Sequence, residues 1–399
     1  MIASPARHAA AVSLPYRFAL QIAWFWVPVF LCLAAIEAVL WVSGETWPVE
    51  RVVRYQQAHQ PALFLRGAMG QAFQPYKLYA AAHLRPRVMA LGSSRAMQFR
   101  SEIFGAESFY NAGGSIQSLD DLDAFFRLLP ADAWPRVVLL GVDVWWFNGN
   151  LQIPVTDLQD DPARSWAAHL TVIQKLARRP GMLRELLIGL RHPRAIGIAA
   201  GFSGAGFRAD GSMYYKLPLP PPGAPWEFVD HEDPPIPVRL RETLEQFQPA
   251  ARAAPERLAR LAAILQRLRR AGVTVIGFAP PFSSASLAIL ENDPRHRGLW
   301  TDFRRAMPPL FARFDFPWYD GSSTAALGID DRYLFDGFHG SETFQLYLLR
   351  ALLRDPRVRA ALPEAEPAVE LCLGSPGLNY WYLGREVSRA TVFPASHTR

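Results

Sequence analysis

One apolar segment near the N-terminus constrains this chain more than any other feature of its sequence. The segment runs from Phe18 to Val42, and Gln21 and Glu37 are its only strongly polar residues. A helix that crosses a bilayer core needs roughly 20 mostly apolar residues, and this stretch supplies them. Pro28 is tolerated in such a span, and tryptophans lie toward both of its ends, as interfacial anchors do. We therefore predict a transmembrane helix over residues 18–42.

The charges that flank this segment predict its orientation. Arg7 and Arg17 precede it without an acidic residue, whereas Glu45 and Glu50 follow it closely. The positive-inside rule then makes residues 1–17 a cytoplasmic tail and puts the main domain on the periplasmic or extracytoplasmic side of the cell (inner) membrane. A cleaved signal peptide and a buried core helix are the alternatives. The absence of a small-x-small cleavage site after the apolar run favours an uncleaved, single-pass anchor.

The composition of the remaining chain excludes several classes of protein. Half of the 399 residues are hydrophobic, which is enough for a sizeable core. The net charge is +6, but the arginines are scattered and often lie beside acidic residues, so no nucleic-acid partner is expected. Two cysteines exclude a disulfide scaffold, and the histidines show no i, i+4 pairing. We therefore expect neither a metal nor an organic cofactor.

Short apolar runs alternate with helical patterns over residues 87–362. The runs predicted as strands are 88–92, 108–111, 136–143, 273–279 and 316–319. Residues 253–271 place apolar side chains at helical spacing directly before the fourth run. This alternation predicts an α/β domain, a parallel sheet with helices on both faces in three layers. Active groups in such domains lie in the loops at the carboxyl ends of the strands.

Three further segments complete the predicted organisation. Residues 43–86 are a connector with some amphipathic helix, and residues 363–399 form an irregular C-terminal tail. Residues 148–272 are too long for a plain crossover and form an insertion. Within it, residues 165–200 are predicted to be helical and basic, and the Gly- and Pro-rich residues 201–238 to be irregular loop. The insertion is either a lid or substrate-binding cap, or a flexible surface excursion.

Residues suited to nucleophilic catalysis follow these strands. Ser94 comes just after the first strand, and Asp336 and His339 precede an apolar helix far downstream, for which Ser341 is a plausible N-cap. A serine nucleophile needs a base to take its proton, and the imidazole of that base needs a carboxylate to hold its tautomer. The Asp-x-x-His spacing lets one turn deliver both. Gly113, after the second strand, can turn its N–H toward a developing oxyanion.

At these positions the sequence resembles the SGNH (GDSL-like) hydrolase superfamily. The likeness spans 87–353 without the insertion, and is greatest to the membrane-anchored branch associated with bacterial polysaccharide or teichoic-acid O-acylation. Gly92-Ser93-Ser94 resembles the first family block, which implies Ser94 as nucleophile and, through its N–H, as an oxyanion donor. Asn111-Ala112-Gly113 resembles the second block and implies Gly113 as a donor. Asp336 and His339 match the last block as orienting acid and general base.

The third block departs from the family pattern. The usual Gly-x-Asn-Asp is replaced here by Gly141-Val142-Asp143-Val144. An ionised Asp143 cannot donate a hydrogen bond to an oxyanion, and the loss of one donor typically costs about a hundredfold in rate. Asp143 is therefore protonated, or points away, or is replaced in this role by another group.

Three residues near the predicted active edge have both a binding and a structural interpretation. Trp145 and Trp146 follow the third strand and can stack on sugar rings or pack in the core. Arg95 can hold a substrate carboxylate or pair with a structural acid, and the structural role is favoured. Asp143 completes the set of candidate substrate contacts.

The leading functional hypothesis is a membrane-anchored esterase or O-acyltransferase that acts on acyl, chiefly acetyl, esters of an extracytoplasmic glycan. Its expected partners are the membrane, a glycan or acylated polysaccharide, and a membrane-bound O-acyltransferase. The alternative is a catalytically degraded accessory protein that binds a polysaccharide or a membrane O-acyltransferase. Asp143 favours this alternative, whereas the presence of Ser94, Asp336 and His339 favours the enzyme.

Overall fold

A computed structural model describes residues 9–67, 73–178, 181, 184, 187, 188, 194–215, 230 and 232–374. Its strands are β1 (Leu63–Phe64), β2 (Val88–Leu91), β3 (Phe109–Asn111), β4 (Val137–Gly141), β5 (Ala195–Ile196), β6 (Gly206–Phe207), β7 (Met213–Tyr214), β8 (Thr274–Ala279) and β9 (Trp318–Asp320). The helices named below are α1 (Ala9–Val42), α2 (Val49–Ala58), α3 (Gln74–Leu84), α4 (Leu119–Leu128), α5 (Trp166–Arg178), α6 (Ile198–Ser203), α7 (Ile236–Arg241), α8 (Pro255–Arg270), α9 (Ser284–Asn292), α10 (Pro294–Ala312), α11 (Glu342–Leu352), α12 (Pro356–Ala361) and α13 (Ala365–Gly374).

The main sheet has five parallel strands in the order β3-β2-β4-β8-β9. Val88 of β2 aligns with Phe109 of β3 on one side and with Val137 of β4 on the other. Strand order therefore reverses between β2 and β4, and ligands of open α/β sheets bind outside the carboxyl ends of the strands at such a switch point. Residues that directly follow β2 and β4 are brought to this crevice.

Both faces of the main sheet are buried, which explains why its strands are nearly continuous apolar runs. Met89, Leu91, Val138 and Leu140 belong to one core cluster, which also holds buried side chains of α4, α8 and α10. Val88, Ala90, Val137 and Leu139 alternate with them and belong to a second cluster with side chains of α11 and α13. The prediction of an α/β domain around a parallel sheet is confirmed.

Most predicted elements of the main sheet are found close to their expected bounds. The helix predicted over 253–271 is α8, and the Ser341 hydroxyl caps α11 by accepting the N–H of Phe344 at 3.2 Å. The last strand was predicted over 316–319 but begins at Trp318. The shift arises because the N–H of Phe316 donates to the carbonyl of Phe311 and so completes the end of α10.

A second, four-stranded sheet was not predicted. Its order is β5-β1-β6-β7, and each of its strands has two residues, which is too short for a recognisable period. Because β1 lies in the predicted connector and the others in the predicted insertion, this sheet joins the two segments. The helical prediction for 165–200 is found in part: α5 covers Trp166–Arg178 and α6 begins at Ile198, but β5 occupies residues 195–196. Within 201–238, residues 216–229 and 231 lie outside the described residues.

The prediction of an irregular tail after residue 363 is wrong over its first part. Residues 365–374 form α13, and its buried side chains are Ala365, Ala368, Val369 and Cys372. These positions follow the i, i+3, i+4, i+7 spacing of a helix that packs on a core. Residues 375–399 lie outside the described residues.

Helix α1 contains the apolar segment 18–42 and is long and apolar enough to cross a membrane. Only 6 % of its most apolar window is buried within the protein. A core helix of a soluble protein buries its apolar face, so the exposure of α1 does not favour the core-helix alternative.

Candidate functional site

Ser94 lies at the carboxyl end of β2, where the chain turns sharply. It begins a short 3-10 turn over Ser94–Ala96, and the Ser93 hydroxyl accepts the N–H of Arg95 at 3.4 Å. Gly92 permits this turn because its φ is +146° and a Cβ there would lie 3.0 Å from the Gly141 carbonyl oxygen. The hydroxyl of Ser94 is thereby held at the edge of the sheet beside the switch point.

Asp336 and His339 approach Ser94 from the loop before α11. The Ser94 Oγ lies 2.8 Å from His339 Nε2, and His339 Nδ1 lies 2.5 Å from Asp336 Oδ2. The other carboxylate oxygen of Asp336 accepts the N–H groups of Phe338 at 2.9 Å and His339 at 2.8 Å. The structure thus brings the three predicted residues into one hydrogen-bonded chain, and the loop backbone fixes the carboxylate in place.

The environment of Asp336 favours its ionised form. Burial opposes ionisation, but the charge and hydrogen bond of His339 and the N–H groups of Phe338 and His339 outweigh it and lower the pKa of Asp336. An ionised carboxylate at this position holds the proton of His339 on Nδ1. Nε2, which faces Ser94, is then the nitrogen free to accept a proton.

Arg95 and Asp143 form a buried ion pair behind Ser94. Arg95 Nη1 lies 2.7 Å from Asp143 Oδ1, and the two side chains are 1 % and 0 % exposed. Burial raises the pKa of Asp143, although Arg95 and Ser93 oppose this effect. Arg95 also donates from Nε to the carbonyl of Phe338 at 3.0 Å and from Nη2 to the carbonyl of Pro281. Asp143 therefore points to Arg95, and Arg95 braces the loop that carries His339.

Gly113 does not present its N–H to the site. That N–H donates to the side-chain oxygen of Asn111 at 2.7 Å, and the Asn111 amide donates in turn to the carbonyls of Ala96 and Phe99. By contrast, Ser94 opens its turn, whose hydrogen bonds use the N–H groups of Ala96 and Met97. The first N–H of a helical turn has no partner within the turn, so that of Ser94 is placed to serve an oxyanion.

A cavity of about 560 Å³ opens beside Ser94 and His339. Trp145 and Phe338 form part of its wall, whereas Arg95, Asp143 and Trp146 are not among its lining residues. The polar wall residues that the sequence analysis did not identify are Gln117, Gln152, Glu232, Arg239, Glu245, Gln246 and Gln248. All of these but Gln117 belong to the insertion 148–272, which therefore forms much of the cavity wall.

Arg239 organises the charged part of that wall. Its Nη1 lies 3.2 Å from Glu232 Oε2. Its Nη2 donates to Gln246 Oε1 at 2.9 Å and pairs with Glu245. Glu232 also has a carboxylate oxygen within 4.8 Å of ligand-type atoms of Asp336 and His339. Those atoms already take part in the hydrogen bonds to Ser94 and within the Asp-x-x-His turn. No sequence pattern marked this group, because it is assembled from irregular segments of the insertion.

Comparisons with protein-family models, with curated proteins and with solved structures find no match for this chain. The functional inference therefore depends on the geometry of the site.

Proposed function

We propose that this chain is a membrane-anchored, SGNH-like serine esterase or O-acyltransferase that acts on acyl, chiefly acetyl, esters of an extracytoplasmic glycan. The observation that supports it most is the hydrogen-bonded chain from Ser94 through His339 to Asp336 at the mouth of a cavity. Nucleophile, base and orienting acid within hydrogen-bond reach are the recurring arrangement of serine-dependent acyl transfer.

The proposed reaction has two halves. Ser94 Oγ attacks the acyl carbonyl carbon while its proton passes to His339 Nε2, and Asp336 stabilises the imidazolium. The tetrahedral intermediate collapses, the ester C–O bond breaks, and the departing sugar oxygen takes the proton from His339. Water or a second sugar hydroxyl then gives its proton to His339 and attacks the acyl-serine. Ser94 is regenerated, and the acyl group leaves as a free acid or as a new ester.

The oxyanion of the intermediate needs donors that replace Gly113 and the usual third-block Asn. The N–H of Ser94 is the first of these. Gln117 is the second candidate, because it lines the cavity and its Nε2 uses one hydrogen on the Gly114 carbonyl at 3.2 Å. The amide carries a second hydrogen, which we assign to the oxyanion.

The walls of the cavity support a glycan as substrate. Four glutamine side chains offer both donors and acceptors to hydroxyl groups, and Trp145 and Phe338 provide aromatic surface for sugar rings. Because most of the polar groups come from the insertion, we assign it the role of a substrate-binding cap.

Helix α1 supports the anchor. The flanking charges favour an orientation with the domain outside the cytoplasm, at the cell (inner) membrane, and a membrane-bound O-acyltransferase is the proposed protein partner. The strand order and the two core clusters support the three-layer SGNH arrangement, with Ser94 at the switch point.

Two observations favour the accessory protein as a second candidate. Asp143 is turned away toward Arg95, and the N–H of Gly113 is held by Asn111. Two of the family's oxyanion donors are thus missing from their expected roles. A protein that binds acylated glycans without cleaving them would keep the cavity but would not depend on the Ser94 hydroxyl.

Hydrolysis of acetyl esters by the full chain in nanodiscs separates the two candidates. With 4-nitrophenyl acetate and an acetylated oligosaccharide, we expect Ser94→Ala to lose activity by about a thousandfold or more. Ser93→Ala is the matched control and retains most activity, since the Ser93 hydroxyl caps the turn and bonds to Asp143 but lies outside the hydrogen-bonded chain of Ser94, His339 and Asp336. Gln117→Glu lowers kcat by about a hundredfold through loss of a donor. Equal hydrolysis by Ser94→Ala and wild type contradicts the enzyme, and oligosaccharide binding without hydrolysis supports the accessory protein.

A further inference from the structure

Three large apolar side chains are exposed near the outer end of α1. Trp166 and Leu170 of α5 are 79 % and 54 % exposed, and Phe202 of α6 is 52 % exposed. Soluble proteins expose single apolar residues often, but a group of large ones beside a membrane-spanning segment indicates an interaction surface. We call Trp166, Leu170 and Phe202 the membrane collar.

The contacts of α5 and α6 place the collar at the level of the last turns of α1. Leu40 of α1 is fully buried in a small cluster with Ala163, Val172 and Ile198. Ala163 lies three residues before the start of α5, Val172 lies within α5, and Ile198 begins α6. The collar residues are therefore carried by the same two helices that pack around the end of α1.

A polar contact fixes the depth of α5 more closely. His169 Nδ1 lies 3.1 Å from both carboxylate oxygens of Glu37. Glu37 lies five residues before Val42, the last residue of α1, which is about 7.5 Å along the helix axis. His169 follows Trp166 by three residues and precedes Leu170 by one, so both collar residues of α5 lie near this depth. A carboxylate near the membrane boundary is costly alone, and the imidazole of His169 provides its partner.

The remaining chemistry of α5 matches a helix that lies in a membrane interface. Trp166 is the residue type enriched at headgroup level, and the last turn of α5 carries Lys175 and Arg178. Basic side chains in the last turn of a helix whose first turns expose apolar ones suit a surface of anionic headgroups over acyl chains.

We propose that the membrane collar inserts into the headgroup–acyl boundary of the same bilayer that α1 crosses. The occupant of this surface is lipid. We assign lipid because the collar is continuous with α1. Any bilayer around α1 reaches the level of Glu37 and therefore meets α5. The collar holds the domain in one orientation on the membrane and sets a fixed height for the cavity at Ser94. This inference rests on the proposed membrane anchor and is independent of catalysis.

Single spin labels in the full chain, reconstituted into nanodiscs of anionic and neutral phospholipids, test the collar. The background variant carries Cys32→Ala and Cys372→Ala, and labels are placed at Trp166→Cys, Leu170→Cys and Phe202→Cys. Phe25→Cys in the middle of α1 is the lipid control, and Arg297→Cys on the exposed side of α10 is the aqueous control. Power saturation compares collision with oxygen, which partitions into lipid, and with a water-soluble nickel chelate.

We expect the collar labels to resemble Phe25→Cys, with oxygen collisions exceeding those of the nickel chelate, and Arg297→Cys to show the reverse. If the label at Phe25→Cys collides mainly with oxygen but the collar labels collide mainly with the nickel chelate, the insertion of the collar is overturned and the anchor stands. The same outcome is expected if a protein partner, and not lipid, covers this surface in the cell. A water-exposed Phe25→Cys overturns the anchor itself. If a label at Trp166 disturbs α5, the label at Leu170, one turn away, gives an independent reading.

Discussion

Arg95 is adjacent to Ser94 in the chain, and its guanidinium reaches the loop that carries His339. The guanidinium donates hydrogen bonds to Asp143, Phe338 and Pro281. These bonds connect the ends of β2, β4 and β8 with the loop that carries His339. The position occupied by an oxyanion Asn in the resembled family thus holds the counter-ion of a buried arginine. On the proposed function, Asp143 is a positioning residue that acts through Arg95, because it is buried against that guanidinium and does not line the cavity.

This role gives a prediction for Asp143→Asn, which introduces the residue type that the resembled family has at this position. It leaves Arg95 charged and buried without its partner, and we expect it to lower the free energy of unfolding by on the order of 3 kcal/mol. Ester hydrolysis falls as well, because the His339 loop loses its brace. Denaturant unfolding and the acetate assay measure the two effects.

The control for this prediction is a double-mutant cycle with Arg95→Met. Removing both charges restores part of the stability lost in Asp143→Asn. The coupling energy measures the interaction between Arg95 and Asp143. A stable Asp143→Asn variant that hydrolyses esters faster than wild type would mean that the carboxylate repels the oxyanion, contrary to the structural role.

Among the helices, α13 shows how a short helical pattern is missed. Its apolar positions follow helical spacing, but the stretch is short and lies next to residues that lack any period. The sequence pattern therefore predicts an irregular tail there. In the structure α13 covers the second core cluster and buries Cys372. Burial raises the pKa of that thiol to about 12, and the nearby Glu102 adds to the effect.

Cys372 therefore reports whether α13 is docked. We expect iodoacetamide to modify it slowly at pH 8 and the rate to rise about tenfold per pH unit toward pH 12, since the thiolate is the reactive form. Urea that unfolds the domain removes this protection, and the pKa falls toward that of a free cysteine. Peptide mapping separates Cys372 from Cys32, and Cys32→Ala is the control variant. Rapid modification at pH 8 in the folded protein, with a plateau near pH 9, would show that α13 is undocked.

The elements that sequence could predict are those with a strong period or cap. The strands β2, β3, β4 and β8 are apolar runs bounded by turns, and α11 has a serine cap that the structure confirms. The two-residue strands of the small sheet carry no period, and the pairing of β1 with β5 and with β6 joins residues more than a hundred positions apart. Such pairings depend on tertiary packing, which local patterns do not encode.

In the whole molecule, the order of the strands brings residues that are far apart in the chain to one edge of the main sheet. Ser94 and His339 are 245 positions apart, and they meet because β2 is an inner strand and the loop before α11 lies at the same edge of the sheet. The grouping of Ser94, Asp336 and His339 could be predicted from residue type and spacing, and the hydrogen bonds between them are found in the structure. The cavity wall could not, because Glu232, Arg239 and the insertion glutamines come from segments without a pattern. The direction of the Gly113 N–H could not be predicted either. It depends on Asn111, whose side chain is held by the carbonyls of Ala96 and Phe99.

Fluorophosphonate labelling tests whether Ser94 is an activated nucleophile. The full chain in nanodiscs is treated with the probe beside Ser94→Ala, Ser93→Ala and His339→Ala, and adducts are located by intact mass and peptide mapping. We expect one adduct, on Ser94, that persists in Ser93→Ala, disappears in Ser94→Ala and forms far more slowly in His339→Ala. A folded wild-type protein without an adduct, or with its adduct on Ser93, would show that Ser94 is not an activated nucleophile.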